Sequence, residues 1–136
     1  MSLFLRSSGL GSLSAAVFLL AQSLAAVAAP VQGPEWVFAN DPPEAQRSVQ
    51  FSGGGRLIGF SGCNPFSGPY ELTQDGLTIG EVVATRRDCS QEAMDRETEL
   101  FRILNLVRSA EASQSELVLK AADGTPLANL ARRSQR

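Results

Sequence analysis

Two cysteines, Cys63 and Cys89, are the residues whose type and spacing most directly carry chemistry in this chain of 136 residues. Joined, they close a loop of about 27 residues, worth about 3–4 kcal/mol if the bond acts mainly on the unfolded chain. A redox-active pair is the functional alternative, but a C-x-x-C spacing is missing; two separate buried thiols are the third reading. Histidine is absent. A Ser-His-Asp triad, a Cys-His pair and a His-ligated metal site are therefore excluded within one chain. The 14 acidic residues are scattered, and nothing singles out two carboxylates facing each other across a cleft. The expectation is a protein that is not an enzyme and carries no cofactor and no metal.

What the cysteines do depends on where the chain resides. Residues 1–28 have the form of a secretory leader. Arg6 and the amino terminus make a positive start, an apolar run extends from about Leu13 to Ala21, and Ala26-Val27-Ala28 is a small-x-small cleavage pattern. Cleavage after Ala28 or after Ala29 fits that rule. Gln22 and Ser23 interrupt the apolar run, which is shorter than the roughly 20 residues needed to span a bilayer. The expected location is the periplasm or the exterior, with no stable membrane anchor after cleavage, and there a pair of cysteines is expected to be oxidised. The formal net charge of −2 lacks the basic excess of a nucleic-acid binder.

The remaining residues must position the pair. Residues 29–34 read as an irregular lead-in, 35–132 as one domain and 133–136 as a frayed tail. Trp36-Val37-Phe38 starts the strands, and Asn40-Asp41-Pro42-Pro43 is a loop because paired prolines cannot join a ladder. Residues 47–52 alternate, Gly53-Gly54-Gly55 reverses the chain, and 56–61 return with Ile58 and Phe60 on one face, which makes a hairpin. Phe66, Gly68, Tyr70 and Leu72 recur at period two, Asp75-Gly76 turns, and Leu77-Thr78-Ile79 and Val82 to Thr85 are extended.

Ser90 then stands as an N-cap, with Glu92 and Asp95 near the positive helix end and Glu92–Arg96 as an i,i+4 pair. An amphipathic helix is expected over about 91–108. Its apolar face carries Ala93, Leu100, Leu104 and Val107, and its second half, with Ile103 and Leu106, is apolar nearly all round. A polar link at Ser113–Glu116 precedes a closing hairpin of Leu117–Leu119 and Leu127–Ala131. The expected fold is α+β: a curled, half-barrel-like antiparallel sheet of about seven short strands with one helix packed against it.

The ordered set Trp36, Gly59, Gly62, Cys63, Asn64, Phe66, Gly68, Tyr70, Thr85, Arg86 and Cys89 resembles the META domain (HslJ-like) family, with a G-x-x-G-C-N-x-F-x-G-x-Y stretch and a T-R-x-x-C stretch before the helix. The resemblance covers roughly residues 34–132. The chain departs from the family pattern at Pro65, Pro69 and Arg87-Asp88. The resemblance implies a curled antiparallel β structure with one helix, small exported proteins, and a general link to heat shock, envelope stress, drug tolerance and virulence. It brings no catalytic residues.

The leading functional expectation is a non-enzymatic envelope or stress-associated module that binds an envelope or extracellular protein or a small ligand, acting as a monomer. Asn64, Arg86 and Arg87 are its candidate surface residues. Their structural alternatives are a turn residue for Asn64 and an ion-pair partner for Arg86. The second expectation is an inhibitor of an exported hydrolase, lysozyme or a protease, because rigid loops bind with little ordering cost.

Overall fold

The computed structural model describes residues 30–134. The expected leader and its cleavage site lie outside the described residues, as does the end of the tail. Among the described residues no helix is long and apolar enough to cross a membrane.

Among the described residues nine strands and one α-helix follow in the order β1 (Glu35–Phe38), β2 (Ser48–Ser52), β3 (Arg56–Phe60), β4 (Pro65–Thr73), β5 (Gly76–Ile79), β6 (Val83–Ala84), α1 (Gln91–Leu106), β7 (Val107–Ala112), β8 (Glu116–Ala121) and β9 (Pro126–Arg132), with a single 3-10 turn at Pro43–Ala45 between β1 and β2. The sheet order is β5-β4-β3-β2-β1-β9-β8-β7, with every neighbour antiparallel, and β6 pairs with β4 beside this path. The first and last strands of that order approach each other where Gly76 lies against the Arg108 carbonyl. The sheet is thus a nearly closed barrel of nine strands rather than a half-barrel of about seven. The expectation undercounted because β7 carries Ala110, Glu111 and Ala112, which favour helix on their own. Pairing with β8 at Ala110↔Leu119 and Ala112↔Leu117 overrides that preference.

Helix α1 begins as the sequence predicts. The Ser90 Oγ accepts from the Ala93 N–H at 3.3 Å. It stops at Leu106 rather than 108, because Val107 takes extended backbone and enters β7. Ala93, Leu100, Ile103 and Leu104 are buried, and the last three pack into the barrel with Trp36, Phe51, Leu57, Leu77, Val107, Leu117 and Leu119. Leu106 is 44% exposed, so the end of the helix is not covered on every side.

The hairpin of β2 and β3 is present, with register Gln50↔Ile58. Its inward face carries Leu57, whereas Ile58 is exposed. Gly59 occupies the next inward position, and the Phe66 ring fills the space a side chain would take. A Cβ there would overlap both that ring and the Ser48 carbonyl oxygen. Gly59→Ala is therefore expected to cost about 1–3 kcal/mol through overpacking. A thermal melt lowered by several degrees, with the native spectrum kept below the transition, is the result to look for.

The lead-in is tied to the barrel. Gln32 bridges Phe51, and the Gly33 N–H donates to the Phe51 carbonyl at 3.0 Å. Trp36 is fully buried and donates its indole N–H to the Val31 carbonyl at 3.0 Å. Tyr70 receives the Gln32 amide and donates to the Ser52 carbonyl at 2.6 Å, with its ring edge-on to Phe51. At the other terminus Arg133 is held by Glu35 through its backbone N–H and its guanidinium, so the first residue of the expected tail is anchored.

Candidate functional site

The chain leaves β3 through Ser61 and Gly62, which has φ +91°, a value open to glycine and disfavoured for other residues. That turn delivers Cys63 and Asn64 beneath the connection from β6 to α1, residues 85–90. Cys63 and Cys89 are bonded. Cys63 is buried and Cys89 exposed, so the bond runs from the core to the surface.

Asn64 lies at the centre and is 1% exposed. Its Oδ1 accepts from the Thr85 hydroxyl at 2.9 Å and from the Arg87 N–H at 2.8 Å. Its Nδ2 donates to Glu97 Oε2 of α1 at 3.0 Å and faces the Arg87 carbonyl at 3.4 Å. Ser61 supports the same centre. Its hydroxyl donates to Glu97 Oε2 and accepts from the Asn64 N–H at 2.8 Å. One amide thus joins three pieces of chain distant in sequence. A buried amide tolerates such a place only when its donors and acceptors are matched. The expectation of a surface role for Asn64 is overturned. The residue is consumed internally, and no part of its amide is left to meet a partner.

The connection above it is exposed from Thr85 to Ser90 and runs without a turn or bend. Thr85 continues the ladder by donating its N–H to the Pro65 carbonyl at 3.2 Å. Arg87 is fixed on both sides. Its main chain meets Asn64, and its guanidinium donates to the Cys63 carbonyl at 3.0 Å. Among the described residues Arg86 has no hydrogen-bond or ion-pair partner, so the ion-pair alternative does not describe it. The remaining motif residues are structural. Trp36, Phe66 and Tyr70 belong to the core, Phe66 packing edge-on against Phe101 at 5.6 Å between centroids. The backbone of Glu81 and Val82 passes close over Gly68.

A second polar centre was not anticipated. Arg47 is held bidentately by Asp41, with Nε to Oδ2 and Nη2 to Oδ1 both at 2.8 Å, and Asp41 Oδ2 also accepts the Arg47 N–H at 3.0 Å. The side chains are 8% and 5% exposed. Arg47 also reaches Glu99 at 3.0 Å and the Arg96 carbonyl at 3.2 Å on α1, and its guanidinium carbon sits 4.2 Å from the centroid of the Phe38 ring. Burial works to raise the Asp41 carboxyl. The hydrogen bonds from the Arg47 side chain and backbone, with the charges of Arg47 and Arg96, outweigh that and hold it below the ordinary carboxylate value. The sequence carried a faint signal in Asp41-Pro42-Pro43, a stiff loop that returns the chain to Arg47. The residues of this centre saturate one another. It anchors α1 to β1 and β2 and leaves no group poised for chemistry.

A groove of about 640 Å³ lies elsewhere, at the barrel seam, lined by Glu71, Asp75, Thr78, Arg108 and Ser109. Those side chains are exposed or half-buried. The described residues contain no cluster of three or more His, Cys, Asp or Glu side chains placed to hold a metal.

Solved structures with the same fold include a protein from Burkholderia xenovorans studied by NMR, at TM-score 0.64 and 19% identity, covering 77% of this chain and 85% of that one. A second NMR structure matches at TM-score 0.54 and 20% identity, over 76% and 90% of the two chains. A DUF4847 family protein from Bacteroides vulgatus matches at TM-score 0.52 and 15% identity, over 66% and 61%. These likenesses concern the fold. No curated protein matches the sequence significantly. The META domain family matches residues 27–134, the whole barrel together with the tied cysteines and the connection between them, and the chain belongs to that family.

Proposed function

We propose that this META domain is an exported, non-enzymatic binding module that presents the connection from β6 to α1 to a partner outside the cytosol. The observation that carries this reading is the pinning of an exposed stretch from below. Asn64 holds Thr85 and Arg87, the disulfide holds Cys89, and Arg86 between them is exposed and, among the described residues, without a hydrogen-bond or ion-pair partner. A loop ordered before binding loses little conformational entropy when it docks. The disulfide fits an oxidising compartment, and the leader pattern at residues 1–28 fits export. The chain has no histidine with which to build common hydrolytic machinery.

Site-directed cross-linking tests the reading. A benzophenone-bearing residue replacing Asp88, exposed in the same connection, should form a discrete adduct with a component of the exported fraction, competed away by excess unmodified protein. The same residue replacing Thr125, in the exposed turn before β9, should not. Equal labelling from both positions, or none from Asp88, would overturn the proposal.

A further inference from the structure

We infer that residues 85–89 form a substrate-like loop that enters the cleft of a serine protease of trypsin-like specificity, with Arg86 filling the primary pocket. This rests on the binding-module reading and names its partner by chemistry. Serine proteases take substrates in extended form and select the residue before the scissile bond by a pocket; a carboxylate at its base selects arginine. Arg86 meets these requirements. It lies on an exposed stretch free of turns and bends. Among the described residues neither its backbone N–H nor its carbonyl has a hydrogen-bond partner, so both are open to the protease main chain and its oxyanion donors. Its guanidinium is equally unengaged and charge-complementary to such a carboxylate. Val83, 69% exposed three residues upstream, supplies apolar area beside the same cleft.

The arrangement beneath the loop decides between substrate and inhibitor. Attack by the protease serine forms an ester at the Arg86 carbonyl carbon and breaks the Arg86–Arg87 C–N bond, and the proton removed from the serine passes to the Arg87 nitrogen. In a flexible chain that amine leaves and water takes its place. Here the Arg87 nitrogen lies 2.8 Å from Asn64 Oδ1, its carbonyl is 3.4 Å from Asn64 Nδ2, and its guanidinium is bonded to the Cys63 carbonyl. Two residues on, Cys89 is bonded to Cys63. On the acyl side Thr85 is tied to Asn64 and to Pro65, and β6 is paired with β4. Both sides of the scissile bond stay together, so the amine reattacks the ester faster than water does, and the complex persists. Asn64, buried below Arg86 and bonded to the residue on either side of it, is the positioning residue.

The test is inhibition of trypsin by the purified, oxidised protein, with mass spectrometry for cleavage at Arg86–Arg87. Competitive inhibition of trypsin and not of chymotrypsin is expected. Arg86→Lys should retain it, Arg86→Ala should weaken it by at least about 100-fold, and Arg86→Leu should transfer it to chymotrypsin. Because Arg86 is exposed and its side chain has no hydrogen-bond or ion-pair partner among the described residues, these variants should keep the parent melting midpoint, which separates binding from folding. Rapid cleavage after Arg86 with loss of inhibition, no inhibition by folded protein, or equal inhibition by Arg86→Ala would each overturn the inference. So would inhibition of lysozyme that ignores Arg86. If trypsin is unaffected while the Asp88 cross-link still forms, the protease assignment falls and the binding reading stands. If the cross-link is also absent, both fall.

Discussion

Replacing Asp41 with alanine should destabilise the domain by about 3–5 kcal/mol, the usual cost of leaving one member of a buried ion pair uncompensated. That is a large share of the roughly 5–15 kcal/mol holding a typical domain together. The Arg47 guanidinium would lose both hydrogen bonds to the carboxylate and keep only Glu99, which is half exposed, and the Arg96 carbonyl. The Arg47 N–H would lose its acceptor as well. Denaturant titration of Asp41→Ala, Asp41→Asn and the double variant Asp41→Leu/Arg47→Met reads the effect. The double variant should recover much of the loss, since apolar replacement of a whole buried pair is often neutral or better. A double variant as unstable as Asp41→Ala would refute the view that the stranded charge, and not lost packing, is the cause.

The same pair fixes a pH dependence. Asp41 is held below its ordinary value of 3.8 in the folded state. A carboxyl depressed on folding stabilises fully above its unfolded value, and that stabilisation is lost as pH falls through the folded one. Stability should therefore decline on acidification from about pH 4 downward, and the decline should be shallower in Asp41→Asn.

Replacing Asn64 with alanine should cost about 2–4 kcal/mol, from several buried partners left unsatisfied at once. The loss should be comparable to that from reducing the disulfide, about 3–4 kcal/mol on the chain-entropy account of a loop this size. Asn64→Asp is the sharper variant. It keeps the acceptor for the Thr85 hydroxyl and the Arg87 N–H, but replaces the donor to Glu97 with a second carboxylate at close range. Like charges raise one another's protonation. A carboxyl raised on folding stabilises below its unfolded value and loses that contribution as pH rises through the folded one. Asn64→Asp should thus gain stability on mild acidification, the sign opposite to the parent protein. Equal pH profiles for the two would show that Nδ2 and Glu97 do not meet in solution.

Several elements were legible because local chemistry determines them. Ser90 caps α1 since its hydroxyl needs only the N–H three residues on, and Gly53–Gly55 reverses the chain since Gly54 and Gly55 accept positive φ. β7 was not legible, because its residues favour a helix until β8 pairs with them. Ile58 shows a related limit. Period two was plain in β3, but the inward position beside Leu57 is a glycine, whose place in the core depends on a ring from another strand.

The amino-acid order by itself determined the α+β class, the helix start, the pairing of two cysteines as an expectation, and the family pattern that the match over residues 27–134 bears out. Only the tertiary structure decided that Asn64 is a buried junction, that Arg47 and Asp41 form a second one, and that Arg86 lies exposed between pinned neighbours. The physical reason is range. Capping and alternation act within a few residues, whereas a buried amide or charge is satisfied by groups that sequence places far away, such as Glu97 on α1 for Asn64 and Glu99 for Arg47.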